Sequence, residues 1–406
     1  MATHDPVKNA SDLREHLSHD DRQIVFLFGA GTSCAVKQEA AADCQEGEPV
    51  VPALTELTQK CAEAVTGLGA KFENCWKTIE AECLPAKQEP NIEDILSRVR
   101  LKVEAIGSDK TLAGLGKEEL DQLEDCIKRT IATLANPGDE CIPTDLPHQI
   151  LARWIIRITR DFPIEIFTTN YDVLFERSLE AERCPFYDGF VGSVEPFFEI
   201  SDATLPGWTR VWKLHGSINW AARDGDRPRI VRVEPNNSGE MILPSDRKYD
   251  ESRKQPYIGL LDRLGRVLSR DNSIMVCVGY GFGDEHINNV LFDSIDRPKR
   301  NHLFALLHSD PRDDSDLIER ATRQPKISVF APSTAVISGD RGGWKLVEPI
   351  DNAKAPFMDL AFDSDATEEE ENELSLTGQM KLGDFRNFCD FLRSLQGSLW
   401  EPKNPH

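Results

Sequence analysis

Apolar residues recur along this chain in two rhythms. Short apolar runs at 24–28, 164–167, 274–278 and 303–307 have the length and β-rich composition of strands buried on both faces. Longer segments repeat their apolar positions at helical spacing. Ile92, Ile95, Leu96, Val99 and Val103 form one such stripe, and Leu120, Leu123, Ile127, Ile131 and Leu134 form another. Leu151, Ile155 and Ile158 predict a third inward face. Phe385, Phe388, Cys389, Leu392 and Leu395 predict an amphipathic helix near the C-terminus. Strand and helix alternate, which is the pattern of an α/β, doubly wound, mostly parallel Rossmann-like sheet. The block at 52–135 reads as a helical insertion beside that sheet, with Pro52 suited to a first helical turn. The stretch IVRVEPNNSGEMILP predicts a hairpin.

This pattern divides the chain into a main domain at 1–335 and a C-terminal extension at 336–406. In the extension the acidic run DSDATEEEENEL reads as a solvated linker. The helix after it is expected to dock on its own domain.

Composition narrows the functional classes. The 69 acidic against 47 basic residues, a net charge of −22, argue against a surface for duplex nucleic acid, which needs clustered Lys and Arg. A small anionic ligand is still allowed, because one turn and a few side chains bind it locally. The polar start MATHDPVKNASDLREHLSHDD lacks the apolar core of a secretory signal, and no apolar run reaches the ~18 residues of a membrane span. These features predict a cytoplasmic protein. The ten cysteines contain no C-x-x-C pair, so they read as free, mostly buried thiols without a zinc module or other metal site.

Ligands of doubly wound sheets sit beyond the carboxyl ends of the strands. Four polar segments occupy such ends: GAGTS at 29–33, TTNYD at 168–172, KLHGS at 213–217 and GYGFGD at 279–284. In the first, Gly29 and Gly31 allow a sharp turn or a close approach. The dinucleotide fingerprint is incomplete, since no third glycine follows Gly31 at the required spacing. An amide, a carboxylate and an imidazole from the other segments supply groups for proton handling. By themselves Asn170 also suits a turn and Asp172 a helix cap; Asp284 reads as the cap of the helix EHINNVLF, and His148 as a helix-start residue.

The four segments in this order resemble the sirtuin-like superfamily, and more narrowly the bacterial sirtuin-like proteins of antiphage defence. The resemblance spans roughly residues 20–335. It departs from sirtuin deacylases in lacking their zinc-binding cysteine pairs and in reading SCAVKQEAAAD after the first motif. It implies an NAD⁺ hydrolase that cleaves the nicotinamide–ribose bond to nicotinamide and ADP-ribose, with NAD⁺ as substrate and no metal. Asn170 would hold ribose hydroxyls or water, and His215 would act as base. Gly29, Ala30, Gly31 and Ser33 would cradle the pyrophosphate through backbone N–H groups. Thr169 would join the cofactor-binding set, Asp172 would hold the carboxamide, and Gly279 and Phe282 would border the adenosine. The resemblance further implies a homo-oligomer and a HerA-like ATPase as the kind of partner, with no direct contact to nucleic acid or membrane. A protein deacylase, a non-catalytic nucleotide-binding module and a nicotinamide oxidoreductase are the competing readings.

Overall fold

The computed structural model describes residues 2–39, 44, 46–84, 90–107, 110–199, 207–223, 229–235, 256–313, 315–351, 355–364 and 376–396. The acidic run from 365 onward and the second half of the expected hairpin, 236–244, lie outside these residues.

Among the described residues, ten strands form the main sheet: β1 (Ala2–His4), β2 (Gln23–Phe28), β3 (Glu165–Thr168), β4 (Phe186–Tyr187), β7 (Thr209–Lys213), β10 (Ser273–Val278), β11 (His302–Leu306), β12 (Ile327–Phe330), β13 (Thr334–Ile337) and β14 (Asp340–Trp344). Their spatial order is β1-β14-β13-β12-β11-β10-β2-β3-β7-β4. All neighbours are parallel except β12 with β13 and β13 with β14. A small antiparallel sheet of β5 (Phe190–Val191), β6 (Phe197–Phe198), β8 (Trp220–Arg223) and β9 (Arg229–Arg232) lies in the irregular part. Asp363 and Ser364 of the acidic run fall in a last pair, β15 (Phe362–Ser364) with β16 (Gly378–Met380).

The central strands are covered on both faces, as their composition required. Along β2, Ile24, Phe26 and Phe28 enter one core layer and Val25 and Leu27 enter the other. The first layer is closed by α1 (Pro6–Ser18), α7 (Pro147–Arg157), α8 (Leu174–Ala181) and the helix Phe385–Ser394. That last helix docks on its own sheet, with Phe388 edge-on to Phe26 and Phe385 edge-on to Phe28. Helices Tyr257–Leu268, Glu285–Asp296 and Asp316–Arg323 close the second layer.

The helical insertion is α3 (Leu54–Gly67), α4 (Ala70–Cys83), α5 (Ile92–Ala105) and α6 (Lys117–Leu134), with a core of its own. Pro52 lies outside α3, not in its first turn, because Ala53 at the cap is extended. Beneath β3, fully buried Glu165 accepts from Arg210, Arg263 and the Trp212 indole, which ties β3 to β7 and to the helix Tyr257–Leu268. Such a charge is tolerated only when its lone pairs are this fully used.

One expectation is corrected: the cysteines are not all free. Cys44 and Cys141 form a disulfide, while the other eight are thiols. The partners are 97 residues apart in sequence, and spacing along the chain gave no sign of them. The loop after Val36 folds back on itself (Val50 N–H to Val36 C=O, Gln38 N–H to Glu48 C=O) and meets the short turn Asp139–Cys141. Among the described residues, the single grouping of three ligand-type atoms is Cys44, Glu140 and Cys141, and the bridge occupies both sulfurs.

Candidate functional site

Beyond the carboxyl ends of β2, β3, β7 and β10 lies a cavity of about 420 Å³. The chain order reverses beside β2, so loops leaving β2 and β10 face each other there, as at other switch points of such sheets. Of the residues expected at the site, Gly29, Ala30, Ser33, Thr169, Asn170, Asp172, His215 and Gly279 line the cavity. Gly31 and Phe282 do not.

Gly31 sits behind the wall, where its backbone abuts that of Gly279 and its N–H donates to the Gly279 carbonyl at 3.0 Å. Phe282 takes a left-handed conformation (φ +53°), rests against Tyr280 and lends its carbonyl to Asn288. The glycine turn also differs from the expected row of free donors. The N–H groups of Gly29, Gly31 and Ser33 donate to the carbonyls of Val278, Gly279 and Ala30. These bonds close the one-turn helix α2 (Gly31–Cys34) and lock it to the β10 loop. Ala30 is the one of the four whose N–H finds no acceptor among the described residues.

Asn170 is oriented without ambiguity. Its Nδ2 donates to Thr32 Oγ1 at 3.0 Å and to Ser33 Oγ at 2.8 Å. Both hydroxyls have spent their single proton elsewhere, Thr32 on the Gly29 carbonyl and Ser33 on Asp172 Oδ2. They can therefore only accept from Asn170, which fixes the amide nitrogen on their side. Among the described residues, the buried Asn170 Oδ1 is left without a partner. The sequence allowed Asn170 a donor and an acceptor role; the fold leaves it the acceptor.

Asp172 accepts from Ser33 with one oxygen and from the Leu174 N–H at 3.0 Å with the other. The cap position itself is Val173, so Asp172 is not the N-cap its position suggested; from one residue before it, Asp172 accepts the first N–H of α8 and lines the cavity. Its carbonyl receives the buried Lys213 ammonium, which also pairs with Glu176 at 3.2 Å. Burial raises the Glu176 carboxyl above its usual range. His215 places Nε2 at 2.9 Å from Asp284 Oδ2.

Sequence reasoning missed several lining groups. Asp284 caps its helix as expected, accepting from His286 and Ile287, but its other oxygen belongs to the site. Tyr171 was not missed: the sequence reads it as wall or core, and it walls the cavity, where burial pushes its hydroxyl well above the ordinary range, so it stays neutral. Val51, Pro52, Leu54, Leu57, Glu93 and Ile131 come from the insertion and the loop before it. No periodicity distinguishes these from residues of the insertion's own core. His148, read as a helix-start residue, is indeed in the first turn of α7 but wholly internal, between Phe175 and Phe385. Burial lowers its pKa to about 4.

The polar residues that line the cavity thus contribute mostly acceptors: the His215 ring, the carboxylates of Asp172, Asp284 and Glu93, and Asn170, whose buried Oδ1 has no partner among the described residues. Among the described lining residues none is Lys or Arg. Such a site suits a ligand that brings hydroxyl donors and carries or develops positive charge. Among the described residues, no helix is long and apolar enough to cross a membrane.

A domain model described as a SIR2-like domain matches residues 164–330. No curated protein matches the chain. The matched stretch runs from β3 through β12 and supplies Asn170, Asp172, His215, Gly279 and Asp284; the first glycine turn and the insertion lie before it. The part of the chain that supplies most of the polar cavity wall is therefore similar to a SIR2-like domain, which supports a sirtuin-like family and, in broad terms, an NAD-related activity.

Proposed function

We propose that the cavity cleaves the nicotinamide–ribose bond of NAD⁺ with water, giving nicotinamide and ADP-ribose. The observation that carries this reading is the orphaned, buried Asn170 Oδ1 in the same cavity as His215. A buried acceptor without a partner costs about 1–3 kcal/mol, and a ribose hydroxyl or a water recovers it. Gly281 and Gly283 line the cavity, and a Cβ at either would meet nothing within 4 Å, so this stretch offers bare backbone for the close approach of a diphosphate.

The chemistry asks the protein for three things. Asn170 holds a hydroxyl or water by its proton. His215 takes a proton from that hydroxyl or water, since an imidazole is an effective base near neutral pH. Asp172, Asp284 and Glu93 provide fixed negative charge for the positive charge that builds on the sugar as a neutral leaving group departs. The role in antiphage defence, the assembly into oligomers and an ATPase partner are carried over from the resemblance as part of this proposal.

Purified protein incubated with NAD⁺, with products separated by chromatography, tests it. We expect nicotinamide and ADP-ribose without any acyl-peptide, and a loss of about 10²–10⁴-fold in Asn170→Ala and His215→Ala. Turnover that requires an acetyl-lysine peptide would make the protein a deacylase. Binding of NAD⁺ without turnover, also with the product of a neighbouring operon gene added, would make it a nucleotide-binding module.

A further inference from the structure

Asp284 does two jobs with its two oxygens. Oδ1 accepts the N–H groups of His286 and Ile287 and so caps the helix Glu285–Asp296. Oδ2 lies 2.9 Å from His215 Nε2. Both side chains are nearly buried and both line the cavity. A carboxylate at a helix N-terminus is favoured as the anion, and an anion can only accept. The proton between the two residues therefore resides on His215 Nε2. A neutral imidazole has one N–H, so Nδ1 must hold the lone pair, and it makes no hydrogen bond among the described residues.

We propose that Asp284 is the positioning residue of the site: it fixes the Nε2–H tautomer of His215, leaves Nδ1 as the base, and stabilises the ring when that nitrogen takes its proton. This inference rests on the hydrolase reading for its kinetic consequence, but not for its structural one. In the proton transfer, Nδ1 gains the proton of the hydroxyl or water and the oxygen keeps the electron pair. The resulting imidazolium then faces an adjacent anion held rigid by a helix. Asp284 itself need touch no substrate.

Asp284→Asn separates the two jobs. Asparagine is as good an N-cap as aspartate, so the helix keeps its start. Its amide Nδ2 can instead donate to His215 Nε2, which moves the ring proton to Nδ1 and blocks the base. We expect an unchanged urea midpoint, NAD⁺ affinity within about 3-fold of wild type, and kcat lower by about 10²–10⁴-fold. Nitrogen-15 NMR of histidine-labelled protein, with His215 assigned by His215→Gln, should report Nε2–H in wild type and Nδ1–H in Asp284→Asn. A wild-type ring protonated on Nδ1, or the same tautomer in both proteins, overturns the proposal whatever the kinetics. Should wild type prove inactive on NAD⁺, the hydrolase reading fails, and the tautomer pair alone decides the role of Asp284. If wild type is active, a kcat unchanged in Asp284→Asn overturns the proposal too.

Discussion

The site depends on two loops whose backbones touch, and Gly279→Ala tests that contact. Gly279 has φ +65°, a left-handed conformation that costs an L-residue roughly 1–2 kcal/mol. A Cβ there would stand 2.6 Å from Thr32 N and 2.9 Å from Gly31 C. Both are backbone atoms of a turn fixed by its own hydrogen bonds, so no flexible side chain can yield. Relieving the overlap means parting the loops, and overpacking of this kind costs about 1–3 kcal/mol. Together the terms predict a destabilisation of roughly 2–5 kcal/mol, with loss of the Gly31-to-Gly279 hydrogen bond. Gly281→Ala is the control: its Cβ would meet nothing within 4 Å, and its φ is not in the left-handed region. Urea unfolding followed by tryptophan fluorescence should separate the two, with Gly281→Ala within about 0.5 kcal/mol of wild type. If Gly279→Ala is equally mild, or Gly281→Ala equally damaging, the interlocked-loop account is wrong.

Two further outcomes follow from groups away from the cavity wall. Thiol titration of denatured protein should find eight reactive cysteines before reduction and ten after. Reductant should lower the stability of wild type by up to about 4–5 kcal/mol, the closure entropy of a loop this long, and leave a Cys44→Ser/Cys141→Ser protein unaffected; ten thiols at the outset would contradict the bridge. For His148, the folded pKa of about 4 lies below the ordinary 6.5. The unfolded chain therefore takes up the proton first, so stability is full above pH 6.5, declines below it and is lost as pH falls through about 4. At pH 5 the deficit is about 2 kcal/mol. His148→Phe, which keeps a flat ring between Phe175 and Phe385, should remove that deficit in urea titrations at pH 7 and pH 5. Equal losses in both proteins would show that the imidazole is not held neutral.

The sequence by itself determined the α/β alternation, the buried central strands and the four polar segments at their carboxyl ends. Those features are local: an apolar run, a glycine pair, a helical stripe. It also required the C-terminal helix to dock, because five apolar positions on one face must be covered by something, with its own domain favoured over a partner; the contacts of Phe385 and Phe388 with β2 decide it. The direction of each polar group was a different matter. Whether Asn170 donates or accepts depends on two hydroxyls more than a hundred residues away, each with one proton to spend. The cap at Asp284 was legible from the residues that follow it; its bond to His215, 69 residues distant, was not. Cys44 met Cys141, and Pro52 left its helix to wall the cavity, for the same reason. Local periodicity encodes which face of an element is buried, whereas a site is made by whichever loops the sheet order brings to one edge. Only the tertiary structure fixes that order, and with it which lone pairs are left over for a ligand.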